Sequence, residues 1–215
     1  MSTYAKSTNA WSCDSCGAAM ATPLFCDGCG TDYPERRGMT AFGILGLEPT
    51  FSIPTEMIDD LESKLVSRLH PDRWQSRGTS LHRKALIAQA AVNEALEEIR
   101  TPFRRAETLI SVLPHAPEFT EETRPSLPTP FLIQQLELQE EIEDGLSKER
   151  KRELTTWVRS ELKELRAVLD SAFQLVEKSK ESDTSRDAFE RIQSTVDRSR
   201  YWRNIQRSLR GQLPT

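Results

Sequence analysis

Apolar residues recur at helical spacing along most of the chain after residue 55. Ile58, Leu61, Leu65 and Leu69 form one stripe, and Pro54 followed by Thr55 marks where that helix starts. Leu81, Ala85, Ala88, Val92, Ala95 and Ile99 form a second stripe over 80–99, with alanines that let another helix approach closely. The two predict an antiparallel pair. Three longer helical segments follow at 131–145, 148–178 and 186–209. Leu154, Val158, Leu165, Leu169, Ala172 and Val176 mark the second of these. Phe189, Ile192, Val196, Trp202, Ile205 and Leu209 mark the third. Gly145 and Ser182-Asp183 are read as the turns between them, and such short connections predict an antiparallel three-helix bundle. Pro114, Pro117, Pro125, Pro128 and Pro130 make 112–130 a boundary. The expectation is an all-α chain with a helical-hairpin unit over 40–111, a Pro-rich linker over 112–130 and a bundle over 131–210. Residues 1–10 are expected to be disordered, and 31–40 to be a polar linker.

Two departures from simple core-forming patterns carry candidate chemistry. The first lies between the paired helices, where the pattern breaks at His70-Pro71-Asp72. Proline disfavours helix in the residue before it and lacks an N–H of its own. The helix should therefore end near Leu69 or His70, in an exposed turn that carries an imidazole and a carboxylate. The tripeptide alone also fits an ordinary turn. Lys64 and Arg68, four residues apart, give the preceding helix a basic face beside that turn. The second departure is in segment 131–145. Phe131, Leu138 and Ile142 share one stripe, while Leu132, Ile133, Leu136, Glu137, Glu140 and Asp144 gather opposite. One stripe can serve a core. Pattern alone leaves the other as a charge-rimmed binding patch or as a surface for packing against another element.

Charge narrows the function classes. With 29 basic and 33 acidic residues the chain is slightly acidic, which argues against general nucleic-acid binding. No apolar run is long enough to span a bilayer, so no membrane role is expected. The first ten residues lack a signal-peptide core and are a poor transit peptide, so bacterial-type cytoplasm is expected, with the mitochondrial matrix as the alternative.

All four cysteines fall in residues 11–32, as Cys13-Asp-Ser-Cys16-Gly17 and Cys26-Asp-Gly-Cys29-Gly30. Two Cys-x-x-Cys knuckles can set four thiolates around one Zn²⁺. Gly17 and Gly30 can relax the tight turns this requires. Two disulfides are the competing reading, without a secretory context to favour them. A redox Cys-x-x-Cys pair is another, without a surrounding βαβ pattern. A segment this short buries little core, and a structural metal would supply the missing stability.

A helix pair with His-Pro-Asp in its connection resembles the J domain, and the flanks sharpen the likeness. Ala41-Phe-Gly-Ile-Leu-Gly-Leu47 is similar to that domain's short first helix, and Ala91-Val-Asn-Glu-Ala95 to part of its third. Thr101-Pro-Phe-Arg-Arg-Ala-Glu-Thr-Leu-Ile110 and Phe131-Leu-Ile-Gln-Gln-Leu-Glu-Leu-Gln-Glu140 resemble HscB, the J-type co-chaperone of iron–sulfur cluster assembly, across about residues 40–210. The resemblance implies that His70, Pro71 and Asp72 meet a DnaK/HscA-type ATPase chaperone. Lys64 and Arg68, by position alone, are either a solvated face or a basic face that meets an acidic partner there. It implies that the bundle presents Leu132, Ile133, Leu136, Glu137, Glu140, Asp144 and Tyr201 to an IscU-type iron–sulfur scaffold protein. Asp144 is shorter than the glutamate usual there. Only some HscB proteins carry a cysteine knuckle. The expected protein is a non-enzymatic co-chaperone with structural zinc on Cys13, Cys16, Cys26 and Cys29. The alternatives are a J-type adaptor for another client and a thiol redox enzyme.

Overall fold

Proline and glycine set most of the element boundaries. In the computed structural model, residues 11–178 and 182–211 are described, the side chains of 182–185 excepted. The expectation for residues 1–10 lies outside them. The chain forms two compact units that divide between Leu109 and Ile110.

The first unit opens with a two-stranded antiparallel ribbon, β1 (Trp11–Ser12) and β2 (Ala19–Met20), pairing Trp11 with Met20 and Ser12 with Ala19. Residues 34–38 form one 3₁₀ turn, and Tyr33 before it is buried against the cysteines. Tyr33 thus pins residues 31–40 to the cysteines, while the rest of the segment is largely polar and partly or fully exposed. An aromatic ring that can reach the cluster is stabilised by burial there. Helix α1 (Ala41–Leu45) starts where the Thr40 hydroxyl accepts the Gly43 amide, and it stops at Gly46, whose φ of 66° suits glycine. Helix α2 (Thr55–Leu69) begins after Pro54 and ends where His70, preceding Pro71, leaves the helical region.

The connection from 70 to 79 is more ordered than expected. Pro71 is itself helical and its carbonyl accepts the Trp74 amide, so that Asp72–Gln75 form a short helix, α3, that buries Trp74. Proline's fixed φ suits the first turn of a helix. Helix α4 (Thr79–Arg100) lays Ala85, Ala88, Val92, Ala95 and Ile99 into the core against α1, α2 and α3. Arg100 at its end pairs with Asp59 and Glu62 of α2. Helix α5 (Pro102–Val112) follows at once. Its buried Arg105 donates from Nε to the Ile99 carbonyl and from Nη1 to the Phe51 carbonyl, both at 2.6 Å.

The second unit centres on α8 (Ser182–Leu209), against which α6 (Thr129–Asp144) and α7 (Lys148–Lys178) both pack. The apolar stripes of α7 and α8 are buried as their spacing predicts, except at Val176, which is only half-buried near the end of α7 where Phe173 is buried instead. Helix α8 starts at Ser182, four residues before the expected 186, so Ser182-Asp183 are its first turn and not a separate one. Ser and Asp open helices as readily as they form turns. The expected linker is also tied down, since Arg124 forms a two-pronged ion pair with Asp197 of α8, at 2.8 and 2.5 Å. No helix among the described residues is long and apolar enough to cross a membrane.

Candidate functional site

Three groups of side chains stand out, and the cysteines are the most geometrically defined. Each knuckle makes the same backbone bonds. The amides of Gly17 and Gly30 reach the carbonyls of Cys13 and Cys26, at 2.8 and 2.9 Å. The amides of Cys13 and Cys26 reach the carbonyls of Ala18 and Thr31. Closing these turns requires a left-handed residue at the end, and Gly17 (φ 70°) and Gly30 (φ 85°) supply it. The four sulfurs lie within 4.8 Å of one another, with Cys13–Cys29 at 3.6 Å and Cys16–Cys26 at 3.7 Å. Thiolates at ~2.3 Å from a tetrahedral metal stand about 3.8 Å apart, so the donor set matches a single ion. A disulfide would need ~2.05 Å, and all four cysteines are free.

The surroundings of the sulfurs favour partial ionisation. The Tyr33 hydroxyl donates to Cys13 Sγ at 3.3 Å and, with the backbone amides of Ser15 and Cys16, brings that thiol down to about 5 against the cost of burial. The Thr31 hydroxyl lowers Cys29. Cys16 is lowered by the Ala18 amide, but crowding by the other thiols and burial outweigh this and push it up to about 12. Burial raises Cys26. Four thiols that resist losing all their protons together are what a dication corrects. The cluster can therefore hold a metal ion.

The second group is the His-Pro-Asp turn. Pro71 is buried, while the side chains of His70 and Asp72 are 49% and 77% exposed, 3.6 Å apart from Nδ1 to Oδ2. The Asp72 amide donates to His70 Nδ1 at 3.4 Å. A hydrogen bond of 3.1 Å joins His82 Nδ1 to the Pro71 carbonyl. That carbonyl can only accept, so the His82 ring nitrogen donates. Lys64 is exposed on α2, but Arg68 is engaged, its Nε 2.6 Å from Asp27 Oδ2 between the two knuckle cysteines.

The third group lies on α6. Phe131 and Leu138 are buried, and the Phe131 ring meets the edges of Tyr201 and Trp202. Ile142, expected in the core with them, is only half-buried because it sits in the last turn of the helix. Ile133 is 50% and Leu136 65% exposed, and Leu132 is half-buried. Glu137, Glu140 and Asp144 are exposed on the same helix. Leu132, Leu136, Tyr201, Asn204 and Ile205 line a groove of about 570 Å³ between α6 and α8. Gln135 also lines it, buried, with neither atom of its amide paired.

Several residues at these sites escaped the sequence pattern. Tyr33, Asp27, Trp74 and His82 act across long loops, and no local period marks them. His82 is half-buried and holds the turn through the Pro71 carbonyl. The signal that could have found Trp74 is a large aromatic side chain in a connection otherwise made of charged, polar and glycine residues.

Residues 127–210 match the family model described as the HSCB C-terminal oligomerisation domain. The chain is 27% identical over 132 residues to the co-chaperone protein HscB homolog of Chromobacterium violaceum, covering 61% of this chain and 74% of that one. The Neisseria meningitidis homolog is 29% identical over 138 residues, covering 61% and 80%. The chain is similar to HscB co-chaperones, and its C-terminal segment carries their C-terminal domain. The shared region includes the three-helix unit that carries the α6 groove. HscB proteins also share its architecture: the crystal structure of human co-chaperone protein HscB superposes with a TM-score of 0.65 at 20% identity, covering 95% of this chain and 90% of that one. HscB from Vibrio cholerae gives 0.59 at 20% identity, covering 80% and 96%. The all-α fold, the four-cysteine knuckle and the HscB likeness stand together.

Proposed function

We propose that this chain stimulates the ATPase of a DnaK/HscA-type chaperone through His70, Pro71 and Asp72 and brings it an IscU-type iron–sulfur scaffold held on α6. The observation that carries the reading is the His-Pro-Asp turn. A buried proline fixes the backbone, and an exposed imidazole and carboxylate project beside each other. Lys64 adds a cation on the adjoining helix. Arg68 belongs to the same face but is paired with Asp27.

On α6, Leu132, Ile133 and Leu136 form the apolar contact, with Glu137, Glu140 and Asp144 around it and Tyr201 across the groove. Burying aliphatic side chains on a partner supplies affinity, while the carboxylates steer association and orientation. The metal of the knuckle is zinc in this reading, bound by Cys13, Cys16, Cys26 and Cys29 in a structural role.

The test is ATPase stimulation of a DnaK-type chaperone by His70→Gln and Asp72→Asn proteins. Both residues are exposed, so folding stability should change by less than about 0.5 kcal/mol. Stimulation should vanish. Full stimulation by the His70→Gln protein excludes the mechanism. Calorimetric titration with IscU separates the scaffold reading from a J-type adaptor for another client. Mass spectrometry of the native protein separates a thiol redox enzyme, which would carry a disulfide in one of its states, from a zinc-loaded knuckle.

A further inference from the structure

The cysteine knuckle is built onto the flanks of the His-Pro-Asp turn. Asp27, between Cys26 and Cys29, is anchored in the knuckle by the Ala21 amide, which donates to its Oδ1 at 3.3 Å. Its other oxygen takes Arg68 Nε at 2.6 Å, and Arg68 Nη2 reaches the Ala19 carbonyl at 3.3 Å. Arg68 lies two residues before His70. On the other side, two residues after Asp72, the buried Trp74 ring meets Phe25 edge-on, with centroids 4.8 Å apart. Arg77 stacks over Trp74 and donates to the Gly28 carbonyl at 3.1 Å. Gly30 lies so close that a Cβ there would fall 2.9 Å from the Trp74 ring and 2.8 Å from Leu81. The knuckle thus holds both ends of the turn, through one charge pair, one aromatic contact and two backbone acceptors.

We propose that Asp27 and Phe25 are positioning residues for the His-Pro-Asp turn. The knuckle is a brace that fixes Arg68 and Trp74, and through them the presentation of His70 and Asp72. The inference rests on the turn being the chaperone-facing element. It also reassigns Arg68: its guanidinium is spent on the knuckle, leaving Lys64 as the exposed cation of that helix face. Without its metal a segment of this size has too little core to hold its shape. The brace then loosens, and the competence of the turn follows the metal occupancy of the cluster.

The experiment uses the full chain, with and without its zinc, and three readouts. These are zinc content, amide hydrogen exchange over 70–78, and maximal ATPase stimulation of a DnaK-type chaperone. Asp27→Asn should keep its zinc and the melting temperature of its helical units, accelerate exchange across the turn several-fold and lower maximal stimulation several-fold. Asp27→Glu should restore both. Arg68→Gln breaks the same pair from the other side with the knuckle untouched, so it keeps the test decisive if Asp27→Asn sheds metal. It should give the same acceleration of exchange, and the double variant no more. Chelation should accelerate exchange further, since it releases Phe25 and Gly28 as well. Unchanged exchange over 70–78 in both single variants, or additive effects in the double variant, overturns the brace. His70→Gln distinguishes the two readings. If it stimulates fully, the chaperone reading fails, while the exchange data still decide whether the knuckle orders the turn.

Discussion

Buried charge at a single residue is the sharpest energetic feature of the first unit. Arg105 is buried and satisfies two main-chain carbonyls, one at the end of α4 and one in the segment before α2. Removing it takes the guanidinium from both carbonyls, although the Phe51 carbonyl keeps the Ile53 amide at 3.1 Å. Losing such a donor in a buried site costs about 1–3 kcal/mol. Arg105→Ala is expected to destabilise the first unit by about 3 kcal/mol in urea unfolding, while Arg104→Ala, on the half-exposed side of the same helix, costs less than 1. Residues of this kind are nearly invisible in a sequence. An arginine beside an apolar stripe reads as a solvated face, and only the folded backbone shows which carbonyls need it. The cysteines lie at the opposite extreme, because their pairing and the glycines after each pair prescribe the turns. Cys13→Ser should lose the metal and loosen residues 11–33, leaving α6, α7 and α8 melting as before. Elemental analysis with circular dichroism checks it.

At the scale of the element, α6 shows what periodicity can and cannot say. The stripe of Phe131 and Leu138 was legible, as was the opposite placement of Ile133 and Leu136. The burial of Gln135 was not, because an amide on an apolar flank normally faces water. It lies against the groove with both amide atoms unpaired. Replacing a buried unpaired amide with an apolar group of similar size removes a desolvation cost of about 1–3 kcal/mol. Gln135→Leu should therefore raise the melting temperature. Phe131→Ala and Leu138→Ala should lower it, each costing about 2–5 kcal/mol of stability. The triple change Leu132→Ala, Ile133→Ala and Leu136→Ala should leave it nearly in place and abolish IscU binding in calorimetry. Normal binding by the triple variant, or melting as low as the core variants, would show that the helix is not two-faced. Helix α2 was fully legible because prolines bracket it. The four-residue α3 was not, since one turn is too short to carry a period.

The far end of α6 is joined to α7 by Arg150, whose guanidinium grips Glu141 at 2.6 and 3.0 Å. Arg150 holds the Glu141 carboxyl below its ordinary value. A lowered carboxyl pKa stabilises the folded state above the unfolded value, ~4.3, and that stabilisation is lost as pH falls through the folded value. Wild-type and Glu141→Gln proteins should therefore differ in melting temperature at pH 7 and converge in acid, with the difference reduced by salt because the pair is partly exposed.

At the scale of the whole molecule, the candidate chaperone and client sites belong to different compact units, and α5 carries the chain from one to the other. Helical class was readable from the apolar stripes. Placement of the knuckle on the turn was not, because it depends on pairs such as Asp27 with Arg68, forty-one residues apart. Two sites on one chain make client capture and chaperone engagement intramolecular. A tether of this length gives an effective concentration on the order of millimolar. Separated units, cut within 113–127, should meet only at their bulk concentration. At about 1 μM this predicts roughly a 10²–10³-fold loss in the scaffold-dependent part of ATPase stimulation, while stimulation by the first unit alone persists. Raising both pieces toward millimolar should restore it. Measuring stimulation against concentration for the intact and cut proteins decides the point. Equal scaffold-dependent stimulation by the two at 1 μM would mean that the linkage between the units contributes nothing.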